Sequence, residues 1–180
     1  HDPDEIWKTT LKTLKDVIVK AKKLRGKILS IGITNQRETT ILWDKKTETI
    51  VNNESSQIIR ILNTAFNDLT GNHIDFYPQE KRTEIDRLND MIYNNVNNGV
   101  YKSGFALTQS AYDDAVTKLF ETLDYLDEQL SHSKFLVGDE ITEADLRLIP
   151  TLLRFDAVYV THFKCNIRRI VDYKNLHRYM

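Results

Sequence analysis

The sequence predicts a mainly helical fold of the α+β class, in which a small helix–strand–hairpin segment precedes an all-helical region. Three observations predict it. Apolar residues recur at three- and four-residue spacing over most of the chain, which is typical of amphipathic helices. Only 6 glycines and 3 prolines interrupt the 180 residues. Stretches typical of strands are confined to residues 27–51.

The opening segment is predicted to form a helix, a strand and a hairpin. Asp2-Pro3 provides a capping carboxylate and a proline at the first helical position, and Gly26 ends the helix. Residues 27–34 are predicted to form a strand. Residues 39–43 then pair with residues 49–51 as a hairpin across a polar turn.

The remainder is predicted to be helical, with helices over residues 53–71, 81–98 and 108–130 and helices that begin at Thr142 and at about Tyr173. Asn53 caps the first of these helices and Gly71 closes it. Asn97-Asn98-Gly99 is predicted to end the second, because glycine favours the position just after a helix. Thr142 and Asp145 have the spacing of a capping box.

Composition and charge exclude several classes of function. The formal net charge of −1 provides no field that favours nucleic acid. No apolar run approaches the about 18 residues that a membrane helix needs, so no membrane partner is predicted. The five histidines show no metal-ligand spacing, and no metal is predicted. The single cysteine, Cys165, cannot form an internal disulfide, which favours a reducing, cytoplasmic location.

Two strings near the start, His1–Trp7 and Ile31–Thr40, resemble the glycerol kinases of the sugar-kinase superfamily. The resemblance implies that Arg37 and Glu38 bind the hydroxyls of glycerol. A guanidinium fork beside a carboxylate can recognise vicinal hydroxyls. The parts that phosphoryl transfer requires are not recognisable. From the residues alone, Arg37 and Glu38 are a solvated turn pair, and we favour this interpretation.

Later strings resemble the glutathionyl-hydroquinone reductases, a branch of the glutathione transferase superfamily. They are LWDK at 42–45, NNESS at 52–56, NNGVYKSGFA at 97–106, RFDAVY at 154–159 and FKCN at 163–166. The resemblance implies the last strands of a thioredoxin-like domain followed by a glutathione-transferase C-terminal-type helical domain. It also implies glutathione as co-substrate, quinone-type small molecules as substrates, and no tightly bound cofactor.

The same resemblance assigns roles to five residues. Trp43, Glu54 and Ser55 would hold glutathione, and a helix N-terminus beside Glu54 would favour its α-carboxylate. Tyr101 and Tyr159 would line the quinol pocket, where a phenol can donate to a quinol oxygen or a developing thiolate. From the residues alone, the tyrosines are equally well explained as amphipathic core residues. Glu54 alone could be a first-turn helix acid.

The nucleophilic cysteine of that family belongs to a segment that is not recognisable in this sequence, so the sequence leaves open whether the chain is an enzyme. Cys165 is predicted to be structural, and His162 to be a packing or capping residue. Thr40 stands where the superfamily has a cis-proline that pairs with glutathione. A non-proline cis bond costs about 2.5–4 kcal/mol, so we expect a trans bond and a weakened backbone clamp.

The two resemblances predict a chimera of three parts: residues 1–41 as a glycerol-kinase-like fragment, residues 42–52 as a hairpin that ends a thioredoxin-like domain, and residues 53–180 as the helical domain. Both families carry a hairpin that reads LWDKKT. A join in shared text is what recombination, a misassembled gene model or deliberate fusion would produce.

An incomplete reductase is the leading hypothesis for this sequence. One alternative is a non-catalytic glutathione-transferase-like binding or dimerisation module, which would form a homodimer. The other alternative is a glycerol kinase fragment. Glutathione affinity separates the leading hypothesis from the first alternative, and nucleotide or glycerol binding would favour the second.

Overall fold

A computed structural model of the chain describes residues 42–44, 46–71 and 73–180, together with isolated helical positions at residues 5, 8–9, 12, 15–16 and 19. The chain divides into two compact units, His1–Ser55 and Ser56–Met180. The strand predicted over residues 27–34 lies outside the described residues, as do Arg37, Glu38 and Thr40.

The first unit contains the predicted hairpin. Strand β1, Leu42–Asp44, pairs antiparallel with strand β2, Thr49–Asn52, with an irregular register between Leu42 and Trp43. The Asp44 carboxylate closes the turn by accepting the backbone N–H groups of Lys46 at 2.7 Å and Thr47 at 3.2 Å. These backbone hydrogen bonds lower the pKa of Asp44, and the one from Thr47 has the largest effect. The hairpin prediction is confirmed.

The predicted helix over residues 53–71 is two helices, α1 at Ser55–Thr64 and α2 at Asn67–Thr70. The prediction of one helix was wrong because Phe66 leaves the helical backbone conformation, and its carbonyl takes the N–H of Thr70. Gly71 closes α2 in the left-handed conformation, with φ 65°. Asn52, one residue before the predicted cap, accepts the N–H of Glu54 through its side-chain oxygen at 2.7 Å.

The chain from residue 79 to 104 stays helical for longer than predicted. A 3₁₀ turn at Gln79–Lys81 leads into α3, Arg82–Met91, then a π-helical segment at Ile92–Asn97, then α4, Gly99–Gly104. The first helical stretch ends at Asn97, as predicted, and Asn98 is a turn residue. The separate helix α4, which begins at Gly99, was not predicted. Gly99 is buried, and a Cβ there would meet Leu119 Cβ at 3.7 Å, so this glycine lies at a helix contact.

The remaining helices follow the predicted positions closely. Helix α5 spans Gln109–His132 and begins where Thr108 Oγ1 accepts the N–H of Ala111 at 3.2 Å. The later elements are α6 at Glu143–Arg154, a second π segment at Phe155–Tyr159, α7 at Val160–His162, a 3₁₀ turn at Ile170–Asp172, and α8 at Lys174–Tyr179.

One contiguous core lies among these helices. Its fully buried members come mainly from α3, α5 and α6 and their π continuations: Ile85, Leu88, Ile92, Leu119, Leu123, Leu126, Leu130, Leu148, Leu152 and Phe155. Burial of such side chains is the main stabilising contribution in a helical domain. The predicted helical fold is therefore confirmed.

The predicted capping box starts α6 and is confirmed. The buried Asp145 carboxylate accepts the N–H of Thr142 at 2.7 Å and its hydroxyl at 2.9 Å. The same carboxylate accepts the N–H of Leu136 at 2.9 Å and the hydroxyl of Tyr179 at 2.7 Å. One carboxylate thus joins the loop before α6, the start of α6 and the last helix.

Candidate functional site

The two predicted pocket tyrosines meet. The hydroxyls of Tyr101 and Tyr159 lie 3.0 Å apart and share a hydrogen bond, although 58 positions separate them. Their rings meet edge to face, with centroids 5.6 Å apart. Tyr159 is buried and Tyr101 is half-buried. The arrangement places two phenol groups together at the boundary of the core.

Two phenylalanines complete an aromatic cluster around the pair. Phe163 packs edge to face on Tyr101 at 5.0 Å and on Tyr159 at 5.4 Å between ring centroids. It also contacts Phe105, which is 69% exposed and presents an apolar face to solvent. Gly104 permits this packing, because a Cβ at that position would lie 2.9 Å from Phe163 Cβ. We call these residues, Tyr101, Phe105, Tyr159 and Phe163, the aromatic cluster.

Both π segments precede or contain a tyrosine of this cluster. The first ends four residues before Tyr101, and the second ends at Tyr159. An inserted π turn rotates the following side chains around the helix axis and is frequent at functional sites. Asn97 joins the first π segment to α6: its amide donates to the Arg147 carbonyl at 3.2 Å and accepts from the Thr151 hydroxyl at 2.7 Å.

Two of the three residues predicted to hold glutathione, Glu54 and Ser55, lie at the start of α1. Glu54 and Ser55 are both exposed, and Ser55 is the first residue of the helix. The N–H of Glu54 is engaged by Asn52. Trp43 lies in β1, opposite Ile50. The glycerol-binding role of Arg37 and Glu38 falls on residues outside the described part of the chain.

Cys165 is buried within the helical unit. Its thiol points at the carbonyl oxygens of Phe163 at 3.5 Å and Val100 at 3.8 Å. Burial raises the pKa of Cys165 to about 12, against a smaller lowering by a hydrogen bond with Ser103. A thiol with such a pKa stays protonated at neutral pH, which supports the structural interpretation. His162 is an exposed residue at the end of α7.

Sequence reasoning missed the residues that support these sites. Gly104 and Phe163 shape the aromatic cluster, and Asn97 joins two helices. Glu143 is 2% exposed and binds Arg60 and Arg147. An acid at a core-facing position of a helix start is the one sequence feature that could have indicated Glu143.

Neither a metal-binding cluster nor a membrane-spanning helix occurs in the described part of the chain. Over residues 42–44, 46–71 and 73–180, no group of three or more histidine, cysteine, aspartate or glutamate side chains could hold a metal ion. Within the same ranges, every helix is too short or too polar to cross a bilayer.

Two family models match different ends of the chain. The C-terminal domain of glutathione S-transferases matches residues 109–180. The N-terminal domain of the FGGY family of carbohydrate kinases matches residues 1–74.

Individual relatives divide in the same way. The glutathionyl-hydroquinone reductase PcpF of Sphingobium chlorophenolicum is 61% identical over 138 residues, which are 77% of this chain and 44% of that protein. A glycerol kinase of Variovorax paradoxus is 60% identical over 47 residues, which are 26% of this chain and 10% of that protein. The chain is thus similar to two families over different residues. Both predicted resemblances are confirmed.

Among solved structures, the glutathione-bound structure of YqjG, a glutathione transferase homologue from Escherichia coli K-12, matches with a TM-score of 0.76 and 56% identity. The match covers 77% of this chain and 45% of that one. The helical region is therefore a glutathione-transferase C-terminal-type domain. The chain spans less than half the length of the reductase relatives that it matches.

Proposed function

We propose that residues 42–180 form the helical, glutathione-binding part of a glutathionyl-hydroquinone reductase. The Tyr101–Tyr159 contact is the observation that carries the proposal, because two residues with the same assigned role come together from distant positions. The match to a glutathione-bound relative supports glutathione as the co-substrate. We also propose that the kinase-like part ends at about residue 41, with the hairpin and helical domain after it.

Glutathione would bind at the start of α1. Glu54 would pair with the ammonium of the γ-glutamyl residue, and Ser55 would hydrogen-bond its α-carboxylate at the positive end of the helix dipole. The exposure of both side chains leaves them accessible to a ligand. Trp43 would flank the same tripeptide, as the resemblance implies.

A quinol would bind at the aromatic cluster. A phenolic hydroxyl of Tyr101 or Tyr159 would donate to a quinol oxygen, and the exposed ring of Phe105 offers a surface on which an aromatic ring can stack. In the reaction that the family resemblance implies, a cysteine thiolate attacks the sulfur of a glutathionyl-hydroquinone, the bond from that sulfur to the ring breaks, and the ring carbon takes a proton as the hydroquinone leaves. The resulting protein–glutathione mixed disulfide is attacked by a second glutathione, which frees the cysteine and forms glutathione disulfide. The quinone-type substrate is part of this proposal.

Turnover by these 180 residues is expected to be weak or undetectable. Cys165 is the single cysteine, and burial keeps its thiol protonated and enclosed. A glutathionyl-hydroquinone assay of the wild-type chain checks this expectation. Turnover that is abolished in Cys165→Ser would contradict our structural interpretation of this thiol.

Glutathione binding is the experiment that tests the proposal. We expect glutathione to raise the melting temperature of the chain, and Glu54→Ala to reduce this shift strongly. Glu48→Ala is the matched control, because Glu48 is an exposed acid in the hairpin turn. Equal shifts in Glu54→Ala and Glu48→Ala would remove Glu54 from the site. A shift with glycerol or ATP, and none with glutathione, would favour the kinase alternative.

We also propose that the protein is cytoplasmic and that it self-associates. A single unpaired cysteine fits a reducing compartment. We also keep the homodimer as a proposal. A non-catalytic helical domain of this type would act as a binding or dimerisation module.

A further inference from the structure

A buried carboxylate binds two arginines and an amide beneath helix α1. Glu143, at the start of α6, is 2% exposed. Its carboxylate accepts from Arg60 Nε at 3.1 Å and pairs with Arg147 Nη2 at 2.6 Å. The side-chain amide of Asn89 donates to it at 3.0 Å. A buried acid with several charge-assisted partners holds those partners in one geometry.

Arg60 is fixed on its other sides as well. Its guanidinium lies 4.0 Å from the centroid of the Tyr77 ring and donates to Asp86 at 2.5 Å. Tyr77 in turn donates its hydroxyl to Asp86 at 2.7 Å. A planar guanidinium that bridges two carboxylates and stacks on an aromatic ring has little freedom to reorient.

The contacts act on the first turns of α1. Arg60 belongs to α1, and Arg147 donates to the carbonyl of Ser56 at 3.4 Å. The helix has otherwise little apolar anchorage, since Ile58 is its one buried residue. The direction of its first turns therefore depends on polar contacts with α6.

We propose that Arg60 and Arg147 are positioning residues for glutathione: bound to Glu143, they fix the first turns of α1 and so the helix start that presents Glu54 and Ser55. The inference rests on the proposed function of those two residues. It adds residues that do not touch the ligand. A preorganised helix start binds its ligand more tightly because less conformational entropy is lost on binding.

Glutathione affinity of arginine variants tests this inference. Titration calorimetry is performed on the full chain at a temperature where circular dichroism shows every variant folded. We expect Arg60→Met to raise the glutathione Kd about tenfold, and Arg60→Lys by about threefold because a lysine keeps the charge but not the fork. Arg147→Met should also raise the Kd, and it provides a second variant if Arg60→Met does not fold.

Arg87→Met is the matched control. Arg87 also pairs with an acid, Glu84, at 2.7 Å and lies 5.7 Å from the centroid of a tyrosine ring, that of Tyr125, but it belongs to α3 and is half-exposed. We expect its glutathione Kd to stay within about twofold of the wild-type value. A Kd equal to that of the wild type in both Arg60→Met and Arg147→Met would overturn the inference.

A double-mutant cycle separates positioning from a general structural effect. If Arg60 acts through the helix start, Arg60→Met combined with Ser55→Ala weakens binding by less than the product of the two single effects. Fully multiplicative effects would overturn the inference. Failure of the wild-type chain to bind glutathione would overturn the proposed function as well. Weak binding in Glu54→Ala with normal binding in both arginine variants would overturn this inference alone.

Discussion

Residues 42–71 and residues 76–180 differ in how much apolar surface they bury. Among the described apolar side chains, Ile58 is the one buried before Ile85, whereas Ile50, Leu62, Phe66 and Leu69 are about half exposed or more. The later region buries a continuous core built from nearly every helix. Stability should therefore reside in the later region, while Glu54 and Ser55 of the proposed glutathione site lie in a region with little buried apolar surface.

The same substitution in the two regions should give the largest contrast. Leu123 in α5 is fully buried, and Leu69 in α2 is 83% exposed. We expect Leu123→Ala to lower the free energy of unfolding by about 2–5 kcal/mol, because it removes buried methyl groups and leaves a cavity. Leu69→Ala should change it by less than about 0.5 kcal/mol. Urea denaturation measures both, and similar losses would contradict the contrast.

Substitutions at Gly104 and Gly99, both in α4, test how tightly the aromatic cluster is packed. A Cβ at Gly104 would lie 2.9 Å from Phe163 Cβ and Cγ, so Gly104→Ala must displace Phe163. We expect a loss of about 1–3 kcal/mol in unfolding free energy from overpacking. Gly99→Ala in the same helix meets ordinary contacts at 3.7 Å or more and should be neutral or slightly stabilising.

The outcome for Gly104→Ala also reports on the tyrosines. Displaced Phe163 should disturb the near-ultraviolet circular dichroism of Tyr101 and Tyr159, which it contacts. A Gly104→Ala chain with unchanged stability and an unchanged tyrosine signal would show that the cluster is loosely packed.

The buried thiol of Cys165 should give the smallest effect, a change in how the free energy of unfolding falls at alkaline pH. The pKa of Cys165 is raised from 9.0 to about 12, so the folded chain keeps a proton that the unfolded chain releases. Stability is therefore fully present below pH 9 and falls as the pH rises towards about 12, by at most about 1.4 kcal/mol per pH unit.

Cys165→Ala should remove this contribution to the pH dependence. Burial also raises the pKa of Tyr173 and of Tyr179, from 10.0 in each case, so their contributions begin higher and remain in the variant. Denaturation curves at pH 8, 9 and 10 would compare the two chains, because these values lie around the ordinary thiol pKa of 9.0. Identical slopes between pH 9 and 10 would contradict the burial of the thiol.

Local sequence patterns predicted much of the fold. Thr142 and Asp145 had the spacing of a capping box, and the buried carboxylate of Asp145 confirms it. The helix predicted over residues 108–130 from apolar spacing is observed at Gln109–His132. Such features depend on neighbours within one or two turns, so they can be recognised without the tertiary structure.

The features that were missed depend on contacts between distant residues. The two π segments interrupt helices whose apolar spacing looks regular, and the break at Phe66 leaves no clear local mark. The Arg60–Glu143 pair joins residues 83 positions apart. The Tyr101–Tyr159 contact was expected through family resemblance, since periodicity alone left core packing as an equal explanation.

Hydrogen–deuterium exchange with and without glutathione tests whether the helical region is a glutathione-transferase-type domain that binds glutathione at the start of α1. We expect glutathione to slow exchange in peptides that cover residues 53–60 and to leave peptides before residue 41 unchanged. Unchanged exchange at residues 53–60, or protection by glycerol in peptides that contain Arg37 and Glu38, would contradict it.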